Sequence, residues 1–456
     1  MPDTKTIALF IAVLAGFLTP FDLSAVNIAL PSIGQEFSMD AVSMGWVATA
    51  YLLASAVFLL PFGRLADIYG RKRIFFWGLA VFTAASALTI FAPSAQAVIV
   101  MRIVQGAGAS LIFGTAVAIL TSVTPGAERG RALGIYTTAV YLGLSCGPFI
   151  GGWLTHIFGW RSIFFINIPI GLITLTLILL FLDGEWADAA GEPFDLGGAV
   201  QYSLTLVCVM LGFTLLPDTE GFVLLGAGTL MLLLFLGRER RVRFPLLDIS
   251  LWTGNRTFTF STLAAFINYS ATFSVTFFLS LYLQYVRGFD PWMAGAILVI
   301  QPLCQAAVSS RAGNLSDRID PGKIASAGMG LTAAGLAALV LVGEATPIPA
   351  ILAILAVIGL GLGIFSSPNT NAIMGSVEKR MYGIAAGTLS TMRLLGQTMS
   401  MGVAMMVITL FIGRIAITAA QHAQLVTAMH VAFALFALLC AFGIYLSLVR
   451  SPPPAA

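Results

Sequence analysis

The sequence predicts an all-α membrane protein with fourteen spanning helices, arranged as two six-helix bundles and one extra helix pair. Three observations support this prediction: an apolar composition, fourteen long apolar segments and a repeat between the two halves. Of 456 residues, 58% are hydrophobic and 9% are charged, and the mean hydropathy is +0.95. Soluble domains carry about 25% charged residues, and one water-soluble core cannot bury so much apolar surface. The net charge of +3 is too small to indicate nucleic acid binding.

The apolar segments are long enough to cross a bilayer, whose core of about 30 Å requires roughly 20 helical residues. They lack the alternating pattern of a membrane barrel, which excludes spanning strands. The first segment is too long for a removable signal peptide and contains Asp22, so we expect a spanning helix there. The predicted spans are 7–30, 42–62, 74–92, 96–122, 131–157, 161–182, 196–216, 221–237, 256–286, 291–311, 323–343, 347–373, 383–412 and 425–449.

Lysine and arginine residues are distributed unevenly between alternate loops. With the N-terminus inside, 18 of the 23 basic residues lie in inner loops or at inner helix ends, and 3 lie outside. The positive-inside rule then predicts a multi-pass protein of the cell membrane with both termini cytoplasmic. The acidic segment 183–195 is expected to be a solvated linker into the extra helix pair. The predicted regions are therefore 1–182, 183–255 and 256–456.

A short motif recurs between the two halves of the chain. Gly63-Arg-Leu-Ala-Asp67 returns 250 residues later as Gly313-Asn-Leu-Ser-Asp317, and Arg73 is matched by Lys323. Parallel halves of this kind form transporters whose substrate site lies between the halves near the bilayer midplane. We therefore expect two similarly oriented six-helix halves, with the 196–237 pair inserted between them.

Four motifs on the predicted helices resemble the drug:proton antiporters of the major facilitator superfamily, in the fourteen-spanner branch. The stretch Phe165-Ile-Asn167-Ile-Pro169 and the preceding Trp160-Arg161 are also typical of that branch. The second-half copy of the loop motif departs from the family pattern after Asp317. The four motifs are Asp22 to Pro31, Gly63 to Arg73, Arg102 to Gly108 and Gly143 to Gly152.

This resemblance implies the major facilitator fold and export of small amphipathic or cationic compounds, as in multidrug efflux. Export would proceed by alternating access and be driven by the proton gradient, with no other cofactor. A monomer without enzymatic activity is expected. The nearest alternative keeps the fold and exports an endogenous metabolite, such as a lipid, a pigment or a peptide.

Asp22 and Arg102 are the candidate proton-coupling residues. Asp22 is expected about eight residues, or roughly 12 Å, from the outer end of the first helix, within reach of Arg102 on the fourth. Burial disfavours an ionised carboxylate and a nearby cation favours it, so the two effects predict proton exchange near physiological pH. The alternatives are a carboxylate fixed by hydrogen bonds and an arginine that extends to the outer interface. No other acid lies within a predicted span away from its edges, so Asp22 is expected to act largely alone.

Small residues and the first inner loop are candidates for conformational switching. Glycines in helix five allow close helix approach, although ordinary packing is an alternative. Asp67 is expected in a short loop, where pairing in one conformation would latch the outward-facing state; a plain positive-inside loop is the alternative. The set is Gly63, Asp67, Gly70, Arg71, Arg73, Gly143, Gly147, Pro148, Gly151, Gly152, Gly313 and Asp317.

Polar and aromatic residues inside the spans are candidates for the substrate cavity. Amides also join helices to each other, and aromatic rings pack in cores more often than they bind cations, so both interpretations stay open. The set is Asn27, Trp46, Tyr51, Asn268, Phe273, Gln301, Asn369, Asn371 and Arg393.

Other classes of protein find little support in the sequence. The four cysteines lie in apolar segments without metal-ligand spacing, so no metal site is expected. No Walker A or HExxH motif occurs, and Gly359-Leu-Gly361-Leu-Gly363 lies inside a span, where it predicts a packing stripe. A membrane enzyme would need clustered acids in the spans, and a channel would need rings of pore residues. His430 is expected to be a packing residue.

Overall fold

A computed structural model of the chain describes residues 4–125, 128–247, 249–378 and 381–448. Fourteen helices in these residues are long and apolar enough to cross a membrane, which confirms the predicted number, and the same residues contain no strand. The helices are α1 (Thr4–Glu36), α2 (Ala41–Tyr69), α3 (Arg71–Ile90), α4 (Ala95–Val123), α5 (Arg129–Phe158), α6 (Arg161–Phe181), α7 (Leu196–Leu215), α8 (Thr219–Glu239), α9 (Arg256–Val286), α10 (Pro291–Ser316), α11 (Pro321–Leu339), α12 (Ile348–Gly375), α13 (Tyr382–Phe411) and α14 (Ala419–Leu448).

The chain divides into two compact units. The first unit comprises Met1–Leu247 and Asp290–Gly295, and the second comprises Asp248–Phe289 and Ala296–Ala456. Both chain ends and three basic residues used to predict orientation, Lys379, Arg380 and Arg450, lie outside the described residues.

Helices α7 and α8 pack against each other, and α7 also packs against α2. The Tyr202 hydroxyl donates to the carbonyl of Ala56 at 2.9 Å. Met210 joins Leu53 and Val57 of α2 in a buried apolar cluster. The extra helix pair is therefore part of the first unit.

Corresponding helices meet by the same close approach inside each unit. A Cβ atom at Gly106 of α4 would overlap the carbonyl oxygen of Tyr51 on α2. A Cβ atom at Gly359 of α12 would overlap the carbonyl oxygen of Gln301 on α10 in the same way. Only glycine lets the backbones come so near, so the motif repeat in the sequence has a counterpart in the packing within each unit.

Candidate functional site

Asp22 lies deeper in its helix than the sequence predicted. Because α1 continues past the predicted end to Glu36, Asp22 sits near the middle of a 33-residue helix. Its side chain is completely buried. A buried carboxylate requires a counter-charge or several hydrogen bonds, and α4 and α6 supply both.

Three side chains donate hydrogen bonds to the Asp22 carboxylate. Arg102 Nη1 lies 2.6 Å from Oδ2, while Gln105 Nε2 and Asn167 Nδ2 lie 3.1 and 2.7 Å from Oδ1. Asp22 thus forms an ion pair and accepts two amide hydrogen bonds, contributed by two other helices. These three donors satisfy the buried carboxylate without solvent.

Arg102 is also completely buried, so it does not extend to the membrane surface. Its Nε donates to the carbonyl of Val47 at 3.1 Å, and its Nη1 donates to Gln105 Oε1 at 2.5 Å. The guanidinium carbon lies 4.2 Å from the ring centre of Tyr51 and 5.9 Å from that of Phe164. The cation–π contact stabilises the charge further, and it gives Tyr51 a role as a wall of this site.

The buried ion pair joins α1 to α4. Removing one charge of a buried pair costs about 3–5 kcal/mol, because the partner remains uncompensated. Arg102 and Gln105 both attach α4 to Asp22 of α1.

The candidate glycines of α5 form a seam with α1. A Cβ atom at Gly143 would overlap the carbonyl of Phe17, and one at Gly147 would overlap the side chain of Ser24. A Cβ atom at Gly151 would overlap Ala25. The seam lets α1 and α5 lie backbone to backbone beside Asp22.

Pro148 and Gly152 lie where α5 meets the Asp290–Gly295 segment of the first unit. A Cβ atom at Gly152 would overlap the carbonyl of Pro291. Conversely, a Cβ atom at Gly295 would overlap the carbonyl of Pro148. The glycine pair therefore permits a second close approach by α5.

The loop predicted around Asp67 is wrong, because both flanking helices continue into it. Gly63 and Asp67 lie in α2, Arg71 and Arg73 lie in α3, and Gly70 alone separates the two helices. Gly70 has a φ of +113°, which a residue with a side chain rarely adopts. The predicted helix ends were placed where the apolar segments end, but in the structure both helices extend further through polar residues.

Asp67 pairs with Arg71 one turn later, at 2.7 Å between Oδ1 and Nη2. Arg71 Nη1 also lies 2.8 Å from Asp188 Oδ2 of the linker. The backbone N–H of Ala189 donates to the carbonyl of Asp67 at 2.9 Å. The acidic segment 183–195 is therefore not simply solvated, because it binds the turn between α2 and α3.

Glu185 caps the start of α3 from this linker. Its carboxylate accepts from the backbone N–H groups of Lys72 and Arg73, at 2.8 and 3.2 Å. The first N–H groups of a helix lack partners inside the helix, and a carboxylate there also benefits from the helix dipole. A Cβ atom at Gly70 would overlap Glu185, so glycine makes room for this contact.

The second-unit copy of the motif has different partners. Gly313 lies in α10 and faces Ser367 of α12. Asp317 directly follows α10 and accepts from Asn371 Nδ2 at 3.0 Å. Asn371 thus connects α12 to the end of α10.

The remaining cavity candidates make no recorded hydrogen bond to Asp22 among the described residues. Asn27 is buried in α1, and Trp46 packs against the cluster that joins α2 to α7. In the second unit, Asn369 Nδ2 donates to the Ser261 carbonyl at 3.1 Å, and the Arg393 guanidinium lies 5.3 Å from the ring centre of Tyr269. Three further candidates lie in α9 and α10: Asn268, which is fully buried, and Phe273 and Gln301, which are partly buried.

Two surface grooves lie on the first unit, with volumes of about 470 and 410 Å³. The larger lies at the end of α8 and is lined by Leu233, Leu234, Gly237, Arg238, Arg241 and Val242. The smaller lies beside Lys72 and Glu185. No residue predicted to line the substrate cavity contributes to either groove.

Sequence reasoning assigned no role to three polar groups of the site. Gln105 and Asn167 fell inside family motifs, but nothing in the residues alone directed them toward Asp22. Ser86, whose hydroxyl lies 2.9 Å from Gln105 Nε2, had no motif signal. One signal in the sequence could have identified Asn167 as a site residue: it is an isolated amide within the apolar segment of α6.

The chain is similar in sequence to several named transport proteins. The riboflavin transporter RibZ of Clostridioides difficile (strain 630) is 33% identical over 389 residues, which cover 85% of each chain. The cephamycin export protein CmcT of Amycolatopsis lactamdurans is 33% identical over 412 residues, 88% of this chain and 84% of its own. The multidrug resistance protein Stp of Mycobacterium tuberculosis (strain CDC 1551 / Oshkosh) is 29% identical over 412 residues, 88% and 76% of the two chains.

The fold has a counterpart among solved structures. The crystal structure of a bacterial homologue of the human lysosomal transporter Spinster, inward-facing and unoccupied, matches with a TM-score of 0.71 and covers 100% of both chains. Its sequence identity of 15% supports the fold alone. The family model of the Major Facilitator Superfamily matches residues 12–401. The chain therefore belongs to the Major Facilitator Superfamily.

Proposed function

We propose that this membrane transporter exports small amphipathic or cationic compounds in exchange for protons, with Asp22 as the proton carrier. The observation that supports the proposal most strongly is the fully buried ion pair between Asp22 and Arg102. Charged groups inside a spanning segment are costly and mark ion pathways and proton relays.

The proposed cycle alternates between two states of this pair. With Asp22 ionised, Arg102 holds α4 against α1. When Asp22 takes up a proton, the attraction is lost and the helices are free to shift. The glycine seam passes movement of α1 to α5, because their backbones are in contact.

The charge of the carrier limits the substrates. One carboxylate neutralises one positive charge, so a proton and a monovalent cation compete for the same site. Exchange of one for the other moves no net charge across the membrane. A divalent cation lacks a second counter-charge and should be a poor substrate.

In the proposed topology, both termini and segment 183–195 are cytoplasmic, in the cell membrane. The 18-to-3 distribution of basic residues supports this orientation. Asp67 then acts at the cytoplasmic side as part of the switch. Labelling of single cysteines introduced into 183–195 should require a membrane-permeant reagent; labelling from outside would contradict this topology.

Relatives support both the leading substrate class and a second candidate. Cephamycin export and multidrug resistance are named functions of two relatives, which supports export of amphipathic compounds. A third relative is named as a riboflavin transporter, which supports a neutral flavin-like metabolite. The two candidates differ in electrical behaviour, because one proton exchanged for a neutral molecule moves one net charge.

Transport by the purified protein in proteoliposomes tests the proposal. The compounds are ethidium (a monovalent cation), propidium (its divalent analogue) and riboflavin. We expect ethidium to move against its gradient only when a pH gradient is imposed, and propidium to move far less. Concentrative riboflavin transport that responds to membrane voltage would favour the second candidate. Ethidium transport indifferent to the pH gradient would contradict proton coupling.

A further inference from the structure

We infer that Asn167 is the positioning residue that adapts to both protonation states of Asp22, by reversing its side-chain amide. This inference rests on the proposed function, because it concerns the proton that Asp22 is proposed to carry. It assigns a specific task to an α6 residue next to the ion pair.

The hydrogen bonds seen at Asp22 suit the ionised carboxylate only. Both carboxylate oxygens accept hydrogen bonds, from Arg102, Gln105 and Asn167. A protonated carboxyl group carries an O–H that needs an acceptor, and a buried donor without one is costly. One neighbour must therefore change from donor to acceptor when Asp22 is protonated.

Gln105 is held in one orientation and cannot make that change. Its Oε1 accepts from Arg102 Nη1 at 2.5 Å, while its Nε2 donates to Asp22 and lies 2.9 Å from Ser86 Oγ. Reversing this amide would turn its NH₂ group toward the guanidinium, so that two donors would face each other.

Asn167 can make the change and keep a hydrogen bond to Asp22, although its NH₂ group then turns to the position where Oδ1 has no hydrogen-bond partner among the described residues. Its Nδ2 donates to Asp22, but its Oδ1 is buried and has no hydrogen-bond partner among the described residues. A half turn of the amide exchanges oxygen and nitrogen, which are nearly equal in size, so it needs no extra space. Oδ1 would then lie against Asp22 and accept its proton.

Ser86 supports both orientations of the amide. Its hydroxyl oxygen lies 3.4 Å from Asn167 Nδ2, and its hydrogen is donated to the carbonyl of Phe82 at 2.8 Å. A hydroxyl group rotates to suit its neighbours. After the reversal, it can donate to Asn167 Oδ1 instead.

Few other groups near Asp22 could accept its proton in a hydrogen bond. The charged or titratable groups that face the carboxyl group in the described residues are Arg102 on α4 and, across the guanidinium, Tyr51 on α2. Helix α5 faces α1 with glycines such as Gly143, α3 contributes Ser86, and α6 contributes Asn167.

Infrared difference spectroscopy of the purified protein over a pH titration tests the inference without transport. The carbonyl band of protonated Asp22 is identified as the band that Asp22→Asn removes. Asn167→Leu removes both donor and acceptor at similar size, whereas Gln105→Leu removes a donor only. Asn167→Ser, which keeps a hydroxyl group, is measured as well in case the leucine variant does not fold.

The two leucine variants should behave differently. Gln105→Leu should raise the midpoint of protonation by about one pH unit, because the ionised form loses a hydrogen bond, and leave the band in place. Asn167→Leu destabilises both forms, so its midpoint should change less while the band moves to higher wavenumber. Asn167→Ser should keep the band near its wild-type position.

Three results would overturn the inference. The first is that Asn167→Leu leaves the Asp22 carbonyl band in place and raises the midpoint of protonation as far as Gln105→Leu does. Asn167 would then be a hydrogen-bond donor only. The second, should the leucine variant not fold, is a band in Asn167→Ser at the wavenumber of a carboxylic acid without hydrogen bonds. The third is the absence of any band that Asp22→Asn removes, which would also contradict Asp22 as the proton carrier.

Discussion

Replacing Arg102 by methionine isolates the energetic role of the buried ion pair. The change removes three hydrogen bonds, to Asp22 Oδ2, Gln105 Oε1 and the Val47 carbonyl. Each of these bonds has the charged guanidinium as donor, and a hydrogen bond of a charged group contributes about 1.5–3 kcal/mol. These bonds share one side chain and do not add independently, so we take the cost of about 3–5 kcal/mol for removing one partner of a buried pair as the expected loss.

The free energy of unfolding in detergent should therefore fall by about 3–5 kcal/mol in Arg102→Met. Asp22→Asn should also destabilise the protein, because it leaves the cation buried without its counter-charge. The double variant should lose at least about 2 kcal/mol less than the sum of the single variants, since residues in contact are coupled. Single effects that add within about 0.5 kcal/mol would refute the ion-pair account.

Arg161 provides a matched control for this experiment. Its guanidinium Nη2 lies 2.7 Å from Glu36 Oε1, but the two side chains are 36% and 40% exposed. Exposed ion pairs contribute about 0–1 kcal/mol, so Arg161→Met should cost far less than Arg102→Met. Equal losses would show that burial of the Asp22 pair is not what matters.

Three further predictions concern other parts of the first unit. Asp67→Asn should leave the unfolding free energy within about 1 kcal/mol of wild type and slow transport; wild-type transport would remove Asp67 from the switch. Gly147→Ala should lower the free energy of unfolding by about 1–3 kcal/mol, because the added methyl group overlaps α1 at the seam. Gly134→Ala in the same helix, where the space around the glycine is open, should not lower it. Similar losses in the two variants would contradict the seam. The hydrogen bond from Arg238 lowers the pKa of Asp195, so the stability that this carboxylate contributes is present above its unfolded pKa and is lost as the pH falls through its lower folded pKa. Asp195→Asn should therefore reduce the free energy of unfolding at pH 7 and weaken its dependence on acid pH. A pH profile of stability unchanged from wild type would refute this prediction.

The number of helices could be predicted because spanning a bilayer demands length and apolar character, and both are local properties of the sequence. The ends of the helices could not be predicted where polar residues extend a helix beyond its apolar segment. Helix α2 runs to Tyr69 through Arg64 and Asp67, so the predicted loop reduces to Gly70. The linker contact of Glu185 was also missed, because an acid in a polar segment gives no sign of a distant helix end.

The charged residues of the site could be predicted from the sequence, but its uncharged polar residues could not. Asp22 and Arg102 stand out because charged residues are rare inside spans. Gln105, Asn167 and Ser86 do not, because uncharged polar residues are common there and often serve packing. Which of them faces the carboxylate depends on the rotation of α3, α4 and α6, a property of the packed helices.

Proton movement during ethidium transport tests the central claim most directly. It is measured with a pH-sensitive dye in proteoliposomes, for the wild-type protein and for Asp22→Asn. One proton should move per ethidium in the wild-type protein. Asp22→Asn should show no concentrative transport but should still allow downhill movement. Undiminished proton movement in the variant, or two protons per ethidium in wild type, would contradict it.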